Sequence, residues 1–444
     1  MLKVLLVSAE VAPYSKSGGL GDVMGSLPQA LREQKIDARV VLPLYKTVPQ
    51  HLIKEAKTVA KFNVSLAWRN LETEVLRLGH VYFIKNDYYF HRDNYYGYHD
   101  DYERFAFFAK AAVEFLPKVR FKANVINFND WHTALGPSYL SSMDSPYHSK
   151  MKSLLTIHNL HYQGIFGTEI LPEIGLHNTH GHLEYDGNIN YLKAGIVSAH
   201  AISTVSTTYA EEIQTPAYGY GMENLLKERS HILYGITNGI APQRATPITK
   251  AALQQKLGLP QTNAPIISMI TRLATQKGFD ILAPMLEDLL NKDIQFIVLG
   301  TGEAQYENMF KYFAHKYPTK LSANITFNET LAEEIYAGSD MFLMPSAYEP
   351  CGLGQLFAMA YGTIPIVRNT GGLADTVEHF NPKTKKGNGF VFDHYLPSAV
   401  EWGIDEALKV YHSPQWPAVV KNALATDSSW DKAAVAYKGL YKKI

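Results

Sequence analysis

Short apolar runs, polar loops and amphipathic stretches alternate along the whole chain. In the first half the runs Lys3–Ser8, Ala38–Tyr45, Val125–Asn129, Lys152–Ile157, Ala201–Val205 and His231–Thr237 predict strands. In the second half Pro265–Ile270, Gln295–Leu299, Ile325–Phe327, Met341–Met344 and Thr363–Val367 do the same. Most are apolar without alternation, the mark of strands buried on both faces. Helical stretches lie between them. One opens at Ser15–Val23 and carries Leu27, Ala30 and Leu31. Phe279–Asn291 has Ile281, Leu282, Met285, Leu286 and Leu289 at helical spacing, and an apolar helix runs from Gly352 to Tyr361. Alternating strands and helices predict an α/β fold built on parallel sheets. The pattern restarts after Ile240–Pro247, a stretch with two prolines that reads as an interdomain hinge. The expected domains are residues 1–240 and 241–426. Residues 427–444 hold a last helix, Trp430–Tyr441, that offers Trp430, Val435 and Leu440 for burial.

The polar positions cluster where these strands end. In parallel sheets ligands bind at the carboxyl ends of the strands. Glu349 follows the run Met341–Met344, and the Gly371–Gly372 turn follows Thr363–Val367. Asp130-Trp131-His132 follows Val125–Asn129, and His158–Gly164 follows Lys152–Ile157. Taken singly, each has a structural reading: a loop carboxylate, turn glycines, a hydrogen-bonded histidine. Several such clusters after successive strands favour a site. After the first strand, Lys16 precedes Gly18 and Gly19 at a helix start. Paired glycines let the backbone approach a ligand, and a helix N-terminus favours an anion. Arg272 and Lys277 stand before the helix that carries Ile281. Cations there are locally unfavourable, so they await an anion unless a carboxylate from elsewhere pairs with them. In the aromatic segment Tyr88–Phe108, Phe105 and Phe108 read as packing, whereas Tyr95 and Tyr96 stay open.

Composition narrows the function. The chain has 444 residues, 46% hydrophobic and 19% charged, enough to bury sizeable cores. A formal net charge of zero carries no nucleic-acid or basic membrane footprint. A single cysteine precludes an internal disulfide and fits the cytoplasm. No stretch approaches the roughly 18 apolar residues of a membrane span. The opening residues KVLLVSAEVA read as a first strand and not a signal peptide. The 28 tyrosines suit sugar stacking but equally suit cores. His132 with His158 or His161 lacks the compact spacing of a metal site, so no metal is expected.

Longer motifs carry a family resemblance. Pro345–Gly352, with Glu349-Pro350-Cys351-Gly352, followed by Gly371-Gly372-Leu373-Ala374-Asp375-Thr376-Val377, resembles the bacterial glycogen synthase and starch synthase family. So do Lys16 with Gly18-Gly19-Leu20, Asp130-Trp131-His132 and Ile157-His158-Asn159-Leu160, and the likeness covers nearly the whole chain. Two departures stand out. Gly221-Met222-Glu223-Asn224 replaces the usual Gly-Leu-Glu-Gly, and Ala241 replaces an aspartate at the hinge. The resemblance implies the GT-B architecture, two Rossmann-like domains facing across a deep cleft, with the final helix crossing back to the first domain. It also implies a retaining glucosyltransferase without a cofactor. Glucose would pass from ADP-glucose, rather than UDP-glucose, to the non-reducing end of an α-1,4-glucan. By residue, it places Glu349, His158, Asp130, Arg272 and Lys277 at the reaction. Lys16, Gly18, Gly19, Asn238, Phe327, Cys351, Gly352, Gly371, Gly372, Leu373 and Thr376 fall to the donor. The first domain would serve the acceptor and the second the nucleotide sugar.

The chemistry has three needs: neutralise a diphosphate, stabilise a cationic sugar ring and deprotonate the acceptor hydroxyl. Arg272 and Lys277 suit the first, while Glu349, Asp130 and His158 suit sugar positioning. Retention is open between a covalent glucosyl-Glu349 and attack on the face that the phosphate leaves; the resemblance leans to the second. An NAD-dependent dehydrogenase would need G-x-G-x-x-G after the first strand, and Gly18-Gly19-Leu20-Gly21 fails that test. A non-catalytic glucan-binding subunit would tolerate loss of Lys16, Arg272, Lys277 or Glu349, and all four are present. A phosphorylase would need a lysine for pyridoxal phosphate, and the chain shows no match to that family there.

Overall fold

The computed structural model describes residues 1–176, 180–241 and 248–444. The chain forms two compact units. Met1–Val205, Ala210–Asn238 and Trp430–Ile444 make the first, and Ser206–Tyr209 with Gly239–Ser429 make the second. Most of the expected hinge, residues 242–247, lies outside the described residues.

The first unit contains β1 (Lys3–Val7), β2 (Asp37–Pro43), β3 (Lys57–Leu66), β4 (Arg69–Leu78), β5 (Val81–Lys85), β6 (Val125–Asn129) and β7 (Lys152–Ile157). A small three-stranded sheet comes next, made of β8 (Ile165–Phe166), β9 (Glu184–Tyr185) and β10 (Asn188–Asn190). Strands β11 (Ala201–Thr204) and β12 (Leu233–Gly235) complete the main sheet, whose order is β12-β11-β7-β6-β1-β2-β5-β4-β3. It is parallel from β12 to β5. β4 and β3 extend it antiparallel, a hairpin that the predicted apolar runs do not include. Every residue of β6 is buried, as a strand covered on both faces must be.

The second unit holds one parallel sheet: β13 (Ile266–Ile270), β14 (Gln295–Leu299), β15 (Leu321–Asn324), β16 (Met341–Met344), β17 (Ile364–Arg368) and β18 (Phe390–Phe392). Its order is β15-β14-β13-β16-β17-β18. Two expectations shift here. The strand expected at Ile325–Phe327 lies earlier, at Leu321–Asn324, and Phe327 sits beyond its end, 76% exposed. The helix Phe279–Asn291 is broken into Phe279–Leu282, a 3₁₀ turn Ala283–Met285 and Leu286–Asn291. Pro284 lacks an N–H and its ring crowds the preceding turn, which weakens the α-helix at this point. The apolar stripe survives the break, with Phe279, Leu282, Leu286 and Leu289 all in the core.

The last helix, Trp430–Lys443, returns to the first unit and packs on the helix Gly19–Glu33. It buries Trp430, Ala433, Ala434, Tyr437, Leu440 and Tyr441. Asn127 donates from the centre of β6 to the Tyr441 hydroxyl at 3.0 Å, and Lys438 reaches the Gln34 carbonyl at 2.8 Å. Val435 does not join this face and is 55% exposed. At 3.6 residues per turn, positions 430, 433, 434, 437, 440 and 441 share one side, and 435 falls on the other.

Candidate active site

In each unit the chemistry-bearing residues leave the carboxyl ends of neighbouring strands. β7, β6 and β1 are adjacent, and their ends deliver His158, Asp130 and the Glu10–Gly19 loop. β13, β16 and β17 are also adjacent, and their ends deliver Arg272 with Lys277, Glu349, and Gly371 with Gly372. A cavity of about 570 Å³ lies at the opposite, amino-terminal edge of the second sheet, lined by Asn263, Asp340, Tyr411 and Trp416. Its carboxylate Asp340 is already engaged with Lys250 at 2.6 Å and the Ile266 N–H at 2.8 Å.

Asp130 is held in a strained backbone conformation. Its φ of 57° and ψ of −178° fall in a region that side chains other than glycine rarely enter. The backbone is pinned there from both sides: the Asp130 N–H donates to the Thr156 carbonyl at 2.9 Å, and Thr133 N–H donates to the Asp130 carbonyl at 3.1 Å. One carboxylate oxygen accepts the His158 N–H at 2.7 Å and the Asn159 N–H at 3.3 Å. Burial pushes the Asp130 pKa up to about 7, the two N–H groups pull it down, and the charge of Glu10 adds to the rise.

His158 is held neutral. Burial pushes its pKa down to about 3. Asn129 donates through Nδ2 to the Val7 and Asn127 carbonyls at 3.0 and 3.1 Å, which turns its Oδ1 toward His158 Nε2 at 2.9 Å. That acceptor fixes the hydrogen on Nε2 and leaves Nδ1 as the acceptor. His132 is buried against Trp131 and Tyr96, at ring separations of 4.2 and 4.6 Å, and burial pushes its pKa down to about 3. It is a packing residue. Among the described residues no group of three His, Cys, Asp or Glu side chains is placed to hold a metal ion.

Lys16 pairs with Asp22 at 2.9 Å, and Gly18 and Gly19 are exposed at the start of the helix Gly19–Glu33. Asn238 is buried just past the carboxyl end of β12, with its Oδ1 unbonded. The residue that organises the Lys16 loop is Glu10, which the sequence motifs do not single out. A signal for it exists in the sequence: it is a carboxylate three residues past the end of a buried strand, like Asp130 and Glu349 in position if not in spacing.

In the second unit, Glu349 Oε2 accepts from Lys277 Nζ at 2.6 Å and from the Ser346 hydroxyl at 3.0 Å. The two charged side chains are 15% and 8% exposed. The expectation that Lys277 stands ready for an anion is thus corrected: its carboxylate partner is Glu349, 72 positions along the chain. Lys277 also lies in a 3₁₀ turn, Thr275–Lys277, and not on the helix after it. Arg272 is exposed at the same edge.

The Glu349 loop is built by close backbone approach. Gly371 has φ of 46°, and a Cβ there would lie 2.0 Å from the Glu349 carbonyl oxygen. On Gly372 a Cβ would meet the Cys351 carbonyl oxygen at the same 2.0 Å. The Gly372 N–H donates to the Glu349 carbonyl at 3.0 Å, and Leu373 N–H donates to the Thr370 carbonyl at 3.1 Å. These glycines therefore seat the Glu349 loop by their own contacts. Leu373 is fully buried beside Val367 and Val377, and Thr376 donates to the Gly372 carbonyl at 2.6 Å. Cys351 is buried, and its carbonyl accepts from Gln355 at 3.1 Å. Arg368, at the end of β17, donates to the Ser346 and Ala347 carbonyls at 3.3 and 2.6 Å. Gln276 reaches the Tyr348 carbonyl at 3.2 Å. Neither residue stands out in sequence, because each acts on backbone of another loop.

The two cations at this edge differ in what they do for the fold. Replacing Lys277 by Ala leaves the buried Glu349 carboxylate with one hydroxyl donor, so ligand-free stability falls by about 2 kcal/mol or more. Arg272→Ala, at an exposed position, stays within about 0.5 kcal/mol of the parent. Thermal melts of both variants check this, and the reverse ranking contradicts it. For Asp130, a folded pKa near 7 lies above the ordinary 3.8. Between these values the folded protein binds the extra proton, so this residue's contribution to stability falls as pH rises through that window. Asp130→Asn stays neutral and keeps the acceptor oxygen. It is expected to be more stable than the parent at pH 8, with the gap closing toward pH 4. Melts across that range measure the gap, and a constant difference contradicts it.

The chain resembles known proteins along its whole length. Residues 3–228 match the family model described as starch synthase catalytic domain, and residues 250–416 match glycosyl transferases group 1. The chain is 43% identical to a glycogen synthase of Fervidobacterium nodosum, over all of this chain and 99% of that one. Its identity to a glycogen synthase of Clostridium acetobutylicum is 45%, with both chains covered in full. Among solved structures, it superimposes on the catalytic domain of starch synthase IV from Arabidopsis thaliana bound to ADP and acarbose. That match has a TM-score of 0.91 and 28% identity, and covers all of this chain and 99% of the other. With two parallel-sheet, Rossmann-like units of the GT-B type, the chain belongs to the glycogen synthase and starch synthase family of glycosyltransferases.

Proposed function

We propose that this glycosyltransferase moves glucose from ADP-glucose to the non-reducing end of an α-1,4-glucan, with retention at the anomeric carbon, in the cytoplasm. The observation that carries the reading is the end-to-end likeness to glycogen synthases. The related starch synthase with ADP and acarbose supports ADP as the leaving group and an oligosaccharide-like acceptor.

The residues are assigned by their surroundings. Arg272 takes the diphosphate, joined by Lys277, whose ammonium is shared with Glu349 at 2.6 Å. A diphosphate gains negative charge as the glycosidic bond breaks, so these cations act most strongly in the transition state. The buried Glu349 carboxylate is assigned to the developing positive charge of the sugar ring. Neutral His158, hydrogen-bonded through Nε2, is assigned with its main-chain carbonyl to the glucosyl unit, as is Asp130 in its ionised form. An imidazole with a pKa near 3 is not a proton donor at neutral pH, so His158 positions and polarises. Lys16, Gly18, Gly19, Asn238, the exposed ring of Phe327, the Cys351–Gly352 turn and the Gly371–Thr376 turn are assigned to the donor on the family resemblance. The second unit serves the nucleotide sugar, and the first serves the acceptor besides the donor contacts just named. The acceptor hydroxyl gives its proton to the departing diphosphate, on the face that group leaves.

Steady-state rates with glycogen as acceptor test the donor assignment. kcat/KM is expected to be higher with ADP-glucose than with UDP-glucose, and EDTA is expected to leave the rate unchanged. A preference for UDP-glucose overturns the donor, and loss of activity in EDTA restored by a divalent ion overturns the metal-free reaction.

A further inference from the structure

Glu10 lies beyond the groups that the reaction uses. It is 4% exposed, just past the end of β1. One carboxylate oxygen accepts the Ser17 N–H at 2.5 Å and the Gly18 N–H at 3.3 Å. The other accepts the Ser17 hydroxyl and the Tyr96 hydroxyl, each at 2.6 Å. All four donors are neutral, and three belong to the two residues that join Lys16 to Gly19.

Tyr96 is itself fixed from behind. Its ring lies 4.6 Å from that of His132 and 5.9 Å from that of Phe105. The preceding residue, Tyr95, has its carbonyl bonded by the buried Arg104 at 3.3 Å and its ring against Tyr45 at 4.9 Å. Arg104 is anchored in turn by Asp101 at 2.5 Å and the Tyr89 carbonyl at 2.8 Å. A continuous set of contacts therefore runs from the helix Asp101–Glu114 through Tyr96 and Glu10 to the Ser17–Gly18 backbone. A buried carboxylate is costly, and its proximity to Asp130 adds repulsion. A neutral side chain would spare the fold that repulsion, whereas only a carboxylate offers acceptor sites for all four donors.

We propose that Glu10, braced by Tyr96, is a positioning residue for the donor: it draws the Ser17 and Gly18 N–H groups inward and so sets the Lys16–Gly19 segment in the shape that meets the nucleotide sugar. The proposal rests on the reading of that segment as donor-binding. Glu10 acts through the loop and does not touch the reacting atoms.

The test uses the full chain with Glu10→Gln and Tyr96→Phe. Glu10→Gln keeps the volume and one acceptor oxygen but loses the charge that binds four donors. Amide hydrogen exchange in the ligand-free protein reads the clamp directly. Faster exchange confined to residues 15–20 is expected in both variants, more in Glu10→Gln, while the rest of the first unit is unchanged. Kinetics read its use. Glu10→Gln is expected to raise KM for ADP-glucose, lowering kcat/KM about tenfold or more, with KM for glycogen unchanged. Unaltered exchange at 15–20 overturns the clamp. Altered exchange with a KM for ADP-glucose equal to the parent's overturns its role in donor positioning. A loss shared equally by both substrates together with a lower melting temperature makes Glu10 a residue of the fold alone, and also overturns it. If the parent transfers nothing from ADP-glucose, the functional reading fails, and the exchange result still decides the clamp.

Discussion

A carboxylate buried in the loop after a parallel strand is unstable unless something around it supplies charge or hydrogen. This one requirement shapes the chemical edge of both units. At Glu349 it is met by an ammonium, with Lys277 at 2.6 Å, and by the Ser346 hydroxyl. At Asp130 it is met by two main-chain N–H groups of the neighbouring strand end. At Glu10 it is met by two more N–H groups and two hydroxyls. Each solution requires a second loop or turn to come close, so the strand order decides which carboxylates can exist. The loops are where they are because their strands are neighbours, β7-β6-β1 in one unit and β13-β16-β17 in the other.

The same requirement ties stability to function. Asp130 combines a backbone conformation typical of glycine with a carboxyl group that burial drives toward neutrality. Both features weigh against the folded state, by about 1–3 kcal/mol for backbone strain of this kind. They persist because the surrounding hydrogen bonds leave the residue no alternative. The Lys277–Glu349 pair is arranged differently: it holds its loop in place before any ligand arrives, so the lysine proposed to serve the diphosphate also stabilises the fold.

Much of this is legible in the sequence, for a physical reason. Strands buried on both faces read as largely apolar runs without alternation, so β6, β7, β14 and β16 can be bounded to the residue. A polar residue just past the end of a buried strand lies on the ligand edge, which points to Asp130, His158 and Glu349. Other features are hidden because they depend on partners distant in sequence. Nothing near Lys277 indicates that its carboxylate lies 72 residues away. Nothing in Arg368 or Gln276 indicates that each bonds carbonyls of the Glu349 loop. The antiparallel β3 and β4 alternate exposed and more buried residues, so a search for continuous apolar runs passes over them. Pro284 is visible in the sequence and marks where the helix around it is weakened. Phe327 is misplaced because Ile325–Phe327 is apolar enough to pass for a strand that in fact ends at Asn324.

The central claim is that the Glu349 carboxylate, held by Lys277, acts on the sugar in the transition state. Glu349→Gln keeps shape and hydrogen bonding to Ser346 while removing the charge. Steady-state kinetics with ADP-glucose and glycogen are expected to show kcat lowered about 100-fold or more, with KM for ADP-glucose changed by less than about threefold. A variant with near-normal kcat and a raised KM for ADP-glucose contradicts the claim, and makes Glu349 a residue of ground-state binding.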